Sequence, residues 1–351
     1  MRSVIALRTP LCLALGIEHP VLSVGFGAAA RAELVAAVSN AGGYGVLGAS
    51  GMPPAALRAE IGRTRGLTDR PFGINLIIAA GPTEDVEEDR AFFHAQITAA
   101  AEAGASAIVL FWGDPAPFVE QAHAADVKVL IQVGSVEEAE SAARAGVDAV
   151  IAQGHEAGGH VRGETSIWEL LPATAEAVRP TPVLASGGIG DGAGLARALR
   201  LGAQGVSLGT RFVCSEEANV HPDYKRRIVA SNASDTVLTA DLYDVGWPDA
   251  PHRTLRNGTF EEWVAAGRPP AGKRPGEGTS IGHRQLASGE VVEWPRYAVG
   301  MATASFNGDI EYAPLWAGES CSVVNAIKPA GAIVEDLVRG ARTALAEPQP
   351  A

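Results

Sequence analysis

Residues 128–153 read "KVLIQVGSVEEAESAARAGVDAVIAQ", and the rhythm of this stretch sets the expected fold. The apolar runs at 128–133 and 149–154 are short and rich in Val and Ile, as strands buried on both faces should be. Between them "VEEAESAARAGV" repeats apolar residues at helical spacing and closes on glycine, a helix stop. The stretch is therefore a strand–helix–strand unit.

The same rhythm extends in both directions. "PVLSV" (20–24), "YGVLGA" (44–49), "FGINLI" (72–77) and "AIVLFW" (107–112) precede it, and "PVLASG" (182–187) and "GVSLGT" (205–210) follow. Helical patterns such as "RAELVAAVSNAG" and "GAGLARALRLGA" lie between them. Eight parallel strands alternating with helices predict an α/β chain folded as a (β/α)8 barrel over residues 1–215, with function at the carboxyl ends of the strands. After Arg211 the alternation stops. Residues 216–300 are richer in Pro, Trp and charge, with "GWPDAP", "GRPPAGKRPGEG" and "EWPRY". They are expected to form an inserted cap of helices and loops over the barrel mouth. In the C-terminal segment 301–351, "IVEDLVRGARTALAE" predicts a final amphipathic helix returning to the barrel.

The totals bound the function. A chain of 351 residues can bury about three-quarters of its unfolded surface. A net charge of −12 argues against nucleic acid and anionic membranes as partners. Cys12, Cys214 and Cys321 stand far apart and form no C-x-x-C pair, which predicts free, buried thiols and a reducing compartment, the cytoplasm. "MRSVIALRTPLCLALGIEHP" at the start is interrupted by Arg8 and Pro10 and is not expected to act as a signal peptide. No apolar run is long enough to span a membrane.

The chemistry-bearing stretch follows the sixth predicted strand: "QGHEAGGHVRG" (153–163). A zinc site of the H-E-x-x-H type needs both histidines on one helix face. Here their spacing is five, and Gly158 and Gly159 stand where helix is required, at about 1 kcal/mol each. No metal is expected. Glycines let a loop turn tightly and approach a ligand, and a neutral histidine on a barrel rim is a suitable proton acceptor. The residues alone do not rank His160 above His155.

"ASGGIGDGAGLA" (185–196) and "SLGTRF" (207–212) follow the seventh and eighth strands, where barrels commonly bind phosphate through backbone N–H groups. Asn75 and Gln132 close their strands and are expected to point towards the mouth. Three patterns carry less. "GFGAAA" (25–30) lacks the acidic residue that a dinucleotide fold needs. "GVSLG" (205–209) lies within a strand, so Ser207 is read as core or rim. Trp247, Trp263, Trp294 and Trp316 are expected to pack a cap more than to line a pocket.

With "PVLSVGFG", "GGYGVLGA", "FGINL", "AQGHEAGGHVRG", "LASGGIGDG" and "GVSLGTRFVCSEEANVHPDYKRRIV" in this order, and "YAPLWAGES" near residue 312, the chain resembles the FMN-dependent nitronate monooxygenase (2-nitropropane dioxygenase) family. The resemblance implies an oxidoreductase that binds FMN. Its phosphate would lie at Gly187, Gly188, Gly209 and Thr210. Ser23, Val24, Gly25, Asn75, Gln132, Gly158, Gly159 and Ser186 would lie against the rest of the cofactor. It assigns the base to His160, which would take the α-proton of a nitroalkane or only steer a nitronate anion. Dioxygen is the implied co-substrate, and carbonyl compound and nitrite are the products.

The same fold and loop occur in flavin-dependent enoyl-ACP reductases and NADH:quinone reductases, which would add NAD(P)H as a partner. A non-redox barrel binding a phosphate-bearing ligand is the alternative outside this chemistry, and a homodimer is left open. Two departures stand out: Val24-Gly25-Phe26 replaces the usual Ala-Pro-Met, and Glu319 replaces a glutamine in "AGQS". Both are expected to alter the substrate wall.

Overall fold

The computed structural model describes residues 7–78, 85–285 and 290–347. Most of the start of the chain (1–6) and the tail Pro348–Ala351 lie outside them.

Each predicted barrel strand is present within one or two residues of its expected bounds. They are β1 (Val21–Ser23), β2 (Gly45–Gly48), β3 (Phe72–Ile77), β4 (Ala107–Phe111), β5 (Lys128–Val133) and β6 (Ala149–Gln153). A short β7 (Gly159–His160) follows, then β8 (Val183–Ser186) and β9 (Gly205–Leu208). All but β7 form one 8-stranded parallel sheet in the order β1-β9-β8-β6-β5-β4-β3-β2. A parallel bridge between Leu22 and Tyr44 closes it. There Ser23 N–H donates to Tyr44 O (3.0 Å), Tyr44 N–H to Val21 O (2.9 Å) and Val46 N–H to Ser23 Oγ (3.1 Å).

Helices 32–40, 54–65, 86–102, 116–124, 136–144, 167–177 and 192–200 follow successive strands. The helix after β9 arrives late. It is Ala330–Ala346, which packs between the helices 192–200 and 32–40. Caps fix where several of these begin: Asp85, Ser135 and Asp191 accept from first-turn N–H groups of the helices that follow them.

The barrel's amino end is plugged. Helix Pro10–Leu15 buries Leu11, Cys12 and Leu15 against Leu22, Val46, Val109, Leu130, Ile151 and Leu184 from inside the sheet. Leu11 N–H donates to the Gln204 side chain, which locks the plug (3.0 Å). Apolar filling at that end leaves the carboxyl ends of the strands as the open face.

The expected secondary structure of 216–300 needs correction. Besides helices Pro222–Val229 and Gly258–Ala265 it holds β10 (Thr236–Thr239), β11 (His252–Leu255), β12 (Ser280–Gln285) and β13 (Val291–Pro295). β10 and β11 pair with β7, and β12 pairs with β13 and with β14 (Asn307–Gly308). Their alternation was masked by adjoining Pro, Gly and charged residues, and pairing with distant segments decided the outcome. Among the described residues no helix is long and apolar enough to cross a membrane, and Cys12, Cys214 and Cys321 are free and buried.

Candidate active site

A cavity of about 630 Å³ opens at the carboxyl ends of the strands, within the usual range for cofactor and ligand pockets. Its floor is apolar, made by Leu22, Val46, Val109 and Ile151, and is ringed by Ser23, Asn75, Gln132, Gln153, Ser186 and Ser207. Every residue expected at the site lines this one cavity: Ser23, Val24, Gly25, Asn75, Gln132, Gly158, Gly159, His160, Ser186, Gly187, Gly188, Gly209 and Thr210.

Several are committed to the scaffold as well. Ser23 Oγ accepts from Val46 N–H across the barrel seam, and Asn75 Nδ2 donates to Val109 O (2.9 Å) on the next strand. Thr210 Oγ1 accepts from Gly318 N–H (2.9 Å), so its own hydrogen is free to point elsewhere.

The loop between β6 and β7 is held on all sides. Gln153 closes its neck: Nε2 donates to His160 O and Oε1 accepts from Arg162 N–H, both at 2.9 Å. Glu156 is buried and accepts from Ser166 Oγ (2.5 Å) and Ile167 N–H (3.0 Å) at the start of helix 167–177, where a carboxylate suits the positive end of the helix. Arg253 donates twice to His155 O (3.1 and 2.9 Å). Gly158 packs so tightly on the segment 317–318 that a Cβ would come within 2.3 Å of Gly318 N. Part of what makes this position glycine is therefore chain-to-chain contact.

β7 pairs with β11 in the register His160 opposite His252 and Gly159 opposite Arg253. The structure separates the two candidate histidines. His155 Nδ1 donates to Glu164 O (3.0 Å), away from the cavity, whereas His160 lines it.

His160 sits in a box of aromatic rings. Trp247 is stacked on it with centroids 4.1 Å apart, Trp316 is tilted at 5.5 Å, and Trp112 meets it edge-on at 6.4 Å. His252 lies 5.8 Å away. Its Nδ1–H donates to Ala250 O (2.9 Å) and its Nε2 accepts from Tyr243 N–H (3.2 Å), which fixes a neutral tautomer. Burial, and secondarily the nearby His252, push the His160 pKa down to about 3. His160 Nε2 is buried with no hydrogen-bond partner among the described residues. A buried nitrogen of this kind is costly unless a ligand or water satisfies it.

Two glycine loops complete the wall. Gly187 and Gly188 adopt φ of +100° and +68°, which favour glycine, ahead of helix 192–200. Gly209 differs. Its φ is −94°, and a Cβ there would meet only Val24 Cγ2 at 4.0 Å. The chain conformation does not require a glycine at 209; the space beside it is cavity.

A sequence model of the nitronate monooxygenase family matches residues 8–340. The chain belongs to the nitronate monooxygenase family. It is 30% identical over 364 residues to a nitronate monooxygenase of Pseudomonas aeruginosa, covering 93% of this chain and 97% of that one. It is 35% identical over 264 residues to a 5-hydroxy-7a-methyl-1-oxo-octahydro-1H-indene-4-carboxyl-CoA dehydrogenase of Mycobacterium tuberculosis, covering 75% of this chain and 70% of that one. Among solved structures, FabK from Thermotoga maritima superposes with a TM-score of 0.74 at 31% identity, over 96% of each chain.

Against the expected family pattern, the two departures have local explanations. Glu319 pairs with Arg253 at 3.1 Å, while the adjoining Ser320 lines the cavity. The carboxylate therefore supports the loop that carries His160 from behind. Gly25 lies where a Cβ would come within 2.5 Å of Asn75 Cβ, so the first-strand turn sits close against β3, with Val24 and Phe26 facing the cavity.

Residues missed in the sequence are Gln153 as a clamp, His252, Trp112 and Arg253. Trp247 and Trp316 line the cavity, contrary to the expectation that they pack a cap. Trp263 does pack, in a cluster with Tyr243, Phe260 and Tyr297.

Proposed function

We propose that the protein is an FMN-dependent nitronate monooxygenase acting on alkyl nitronates with dioxygen. The observation that carries this reading is the neutral His160 imidazole, with an unsatisfied buried nitrogen, on the wall of a cavity whose other wall is two glycine loops. The cavity fits the cofactor in one testable respect: at Gly209 a side chain would enter open space, as a cradle for a ligand requires. Gly187, Gly188, Gly209 and Thr210 would hold the phosphate, and Ser23, Val24, Gly25, Asn75, Gln132, Gly158, Gly159 and Ser186 would lie along the remainder. When bound, FMN supplies the redox capacity that no side chain here has.

The chain's own contribution is positional. A histidine whose conjugate acid is as strong as a pKa near 3 implies is a weak base at neutral pH. Its remaining N–H can still donate to a nitronate oxygen, and the enclosing tryptophans exclude water. This favours steering a preformed nitronate over deprotonating a neutral nitroalkane. We infer that residues 216–300 act as a cap, since Trp247 and Arg284 from that segment line the cavity. The free buried thiols fit a cytoplasmic setting.

The relation to a carboxyl-CoA dehydrogenase favours a second reading, in which a reduced or oxidised thioester takes the place of the nitronate. Anaerobic mixing separates the two. The purified protein should carry FMN, and propionate 3-nitronate should bleach it rapidly. Rapid bleaching by NADH, with none by the nitronate, would transfer the assignment to a reductase. A colourless protein that cannot be reconstituted with FMN would end both.

A further inference from the structure

Arg284 is a cation at the cavity with no ion-pair partner among the described residues. It lies on β12, lines the cavity and is half-buried, and its Nε is buried with no hydrogen-bond partner. Its guanidinium stacks on the ring of the fully buried Trp294, with Cζ 5.0 Å from the centroid. Three buried arginines of the segments around the cap face carboxylates: Arg253 faces Glu319, Arg274 faces Asp244 and Glu277, and Arg296 faces Glu262. Buried Arg211 instead donates to the backbone carbonyls of Cys214 and Ala326. Among the described residues no ion pair includes Arg284. Stacking on tryptophan orients a guanidinium and contributes modestly, but it does not neutralise the charge.

The place of this charge relative to His160 is defined by one glycine. At Gly300 a Cβ would come within 2.6 Å of Arg284 Nη1 and 2.8 Å of Trp294 Cζ2, so the guanidinium occupies space that any side chain would take. Gly300 O accepts from Trp316 Nε1 (2.6 Å), and the Trp316 ring packs against His160. Arg284 and His160 are thus linked along one cavity wall through Gly300 and Trp316.

The geometry points to Arg284 as an oxyanion-binding residue for the far end of the substrate, a carboxylate or a phosphate ester on a molecule whose reacting end lies at His160. This rests on the proposed reading of His160 for the identity of the reacting end only. Burial lowers the Arg284 pKa with no carboxylate among its causes, consistent with a charge held ready for an incoming anion. A planar guanidinium suits either oxyanion through paired N–H donors.

The test uses the holoenzyme and two variants, Arg284→Gln and Arg284→Lys. Calorimetric titration compares butyrate and propyl phosphate with their neutral counterparts butyramide and propanol. Wild type should bind at least one of the anions more tightly than its neutral counterpart. Arg284→Gln should weaken that anion at least tenfold, and Arg284→Lys should restore part of the loss. Whichever anion shows the effect identifies the oxyanion. Equal binding of charged and neutral probes, or unchanged anion binding in Arg284→Gln, overturns the inference, as does loss of FMN from Arg284→Gln, which would assign the charge to the cofactor. In turnover, the preference for propionate 3-nitronate over propyl 1-nitronate should fall in Arg284→Gln if a carboxylate is bound. Absence of turnover with every nitronate would defeat the functional reading alone, since the calorimetry would still decide the role of Arg284.

Discussion

Trp247 lies face to face with His160, with centroids 4.1 Å apart and planes 26° from parallel. One residue comes from the segment between β10 and β11 and the other from β7, so the contact joins that segment to the barrel rim. The stacked indole closes one face of the imidazole to a ligand. It also removes water, whose loss is the main reason the pKa of His160 falls to about 3. Trp247→Ala should let water reach the ring and raise that pKa by at least one unit towards the ordinary 6.5, with Trp247→Phe intermediate. Titration of the His160 ring by NMR reads this directly. An unchanged midpoint in Trp247→Ala would show that the stack does not control the imidazole.

His160 also ties stability to pH, and the sign follows from the depressed pKa. Unfolded, the imidazole takes up a proton as the pH falls through about 6.5; folded, it does so only near 3. Between these values the unfolded chain binds more protons, so the folded state is fully stable above about 6.5 and loses stability as the pH falls through that window towards 3. The slope is at most about 1.4 kcal/mol per pH unit for one imidazole. His252, also lowered by burial, adds to it. His160→Asn should therefore flatten the decline between pH 6.5 and 5, which urea unfolding at the two pH values measures. Parallel declines in variant and wild type would place His160 in water.

The same variant separates base from positioner. Asparagine can donate a hydrogen bond to a nitronate oxygen but cannot accept a proton from carbon at useful rates. Because the depressed pKa makes His160 a positioner, His160→Asn with the cofactor retained should cost about tenfold or less in kcat/KM on the preformed nitronate, with a loss of similar size on a neutral nitroalkane. A loss of about 10²–10³-fold confined to the neutral nitroalkane would make the imidazole a base instead.

Much of this was readable in the sequence because local physics decides it. The barrel strands are short Val- and Ile-rich runs whose burial on both faces leaves one interpretation. The loops after β6, β8 and β9 declare themselves through glycines placed directly after such runs. The aromatic box was not readable, because Trp112, Trp247, His252 and Trp316 are scattered between residues 112 and 316 and meet only through tertiary packing. The strands of 216–300 were missed for a related reason: β11 is a strand because β10 and β7 lie on either side of it, and no feature of "HRTL" announces those partners. Arg253 drew no expectation from the sequence, and Glu319, expected to alter the substrate wall, pairs with it behind the loop only because the fold brings the two together.

Gly209 offers a cleaner test of cofactor placement than Gly188. At Gly188 the backbone is left-handed and a Cβ would press on Glu156 at 3.2 Å, so a side chain there strains the loop as well as any ligand. At Gly209 neither objection holds. Gly209→Val should leave the melting temperature of the apoprotein within a few degrees of wild type while weakening FMN at least tenfold. Gly188→Val should lower both. Retention of FMN by Gly209→Val at wild-type affinity would place the phosphate elsewhere.

The pair Arg253–Glu319 gives the last test, because its two members contribute unequally. Arg253 is buried and satisfies His155 O twice, Thr236 Oγ1 and the Glu319 carboxylate. Glu319 is about one-third exposed, so water screens its half of the pair. Glu319→Gln, which restores the amide expected of the family, should cost about 1 kcal/mol or less and leave the cavity wall intact, since the carboxylate points behind the loop. Arg253→Met strips the His155 carbonyl and strands the carboxylate, at about 3 kcal/mol. It should also loosen the register that places His160 opposite His252. Urea unfolding gives the two energies, and kcat on a nitronate gives the second effect. If Glu319→Gln changed substrate preference while Arg253→Met did not alter turnover, residue 319 would act from the cavity side.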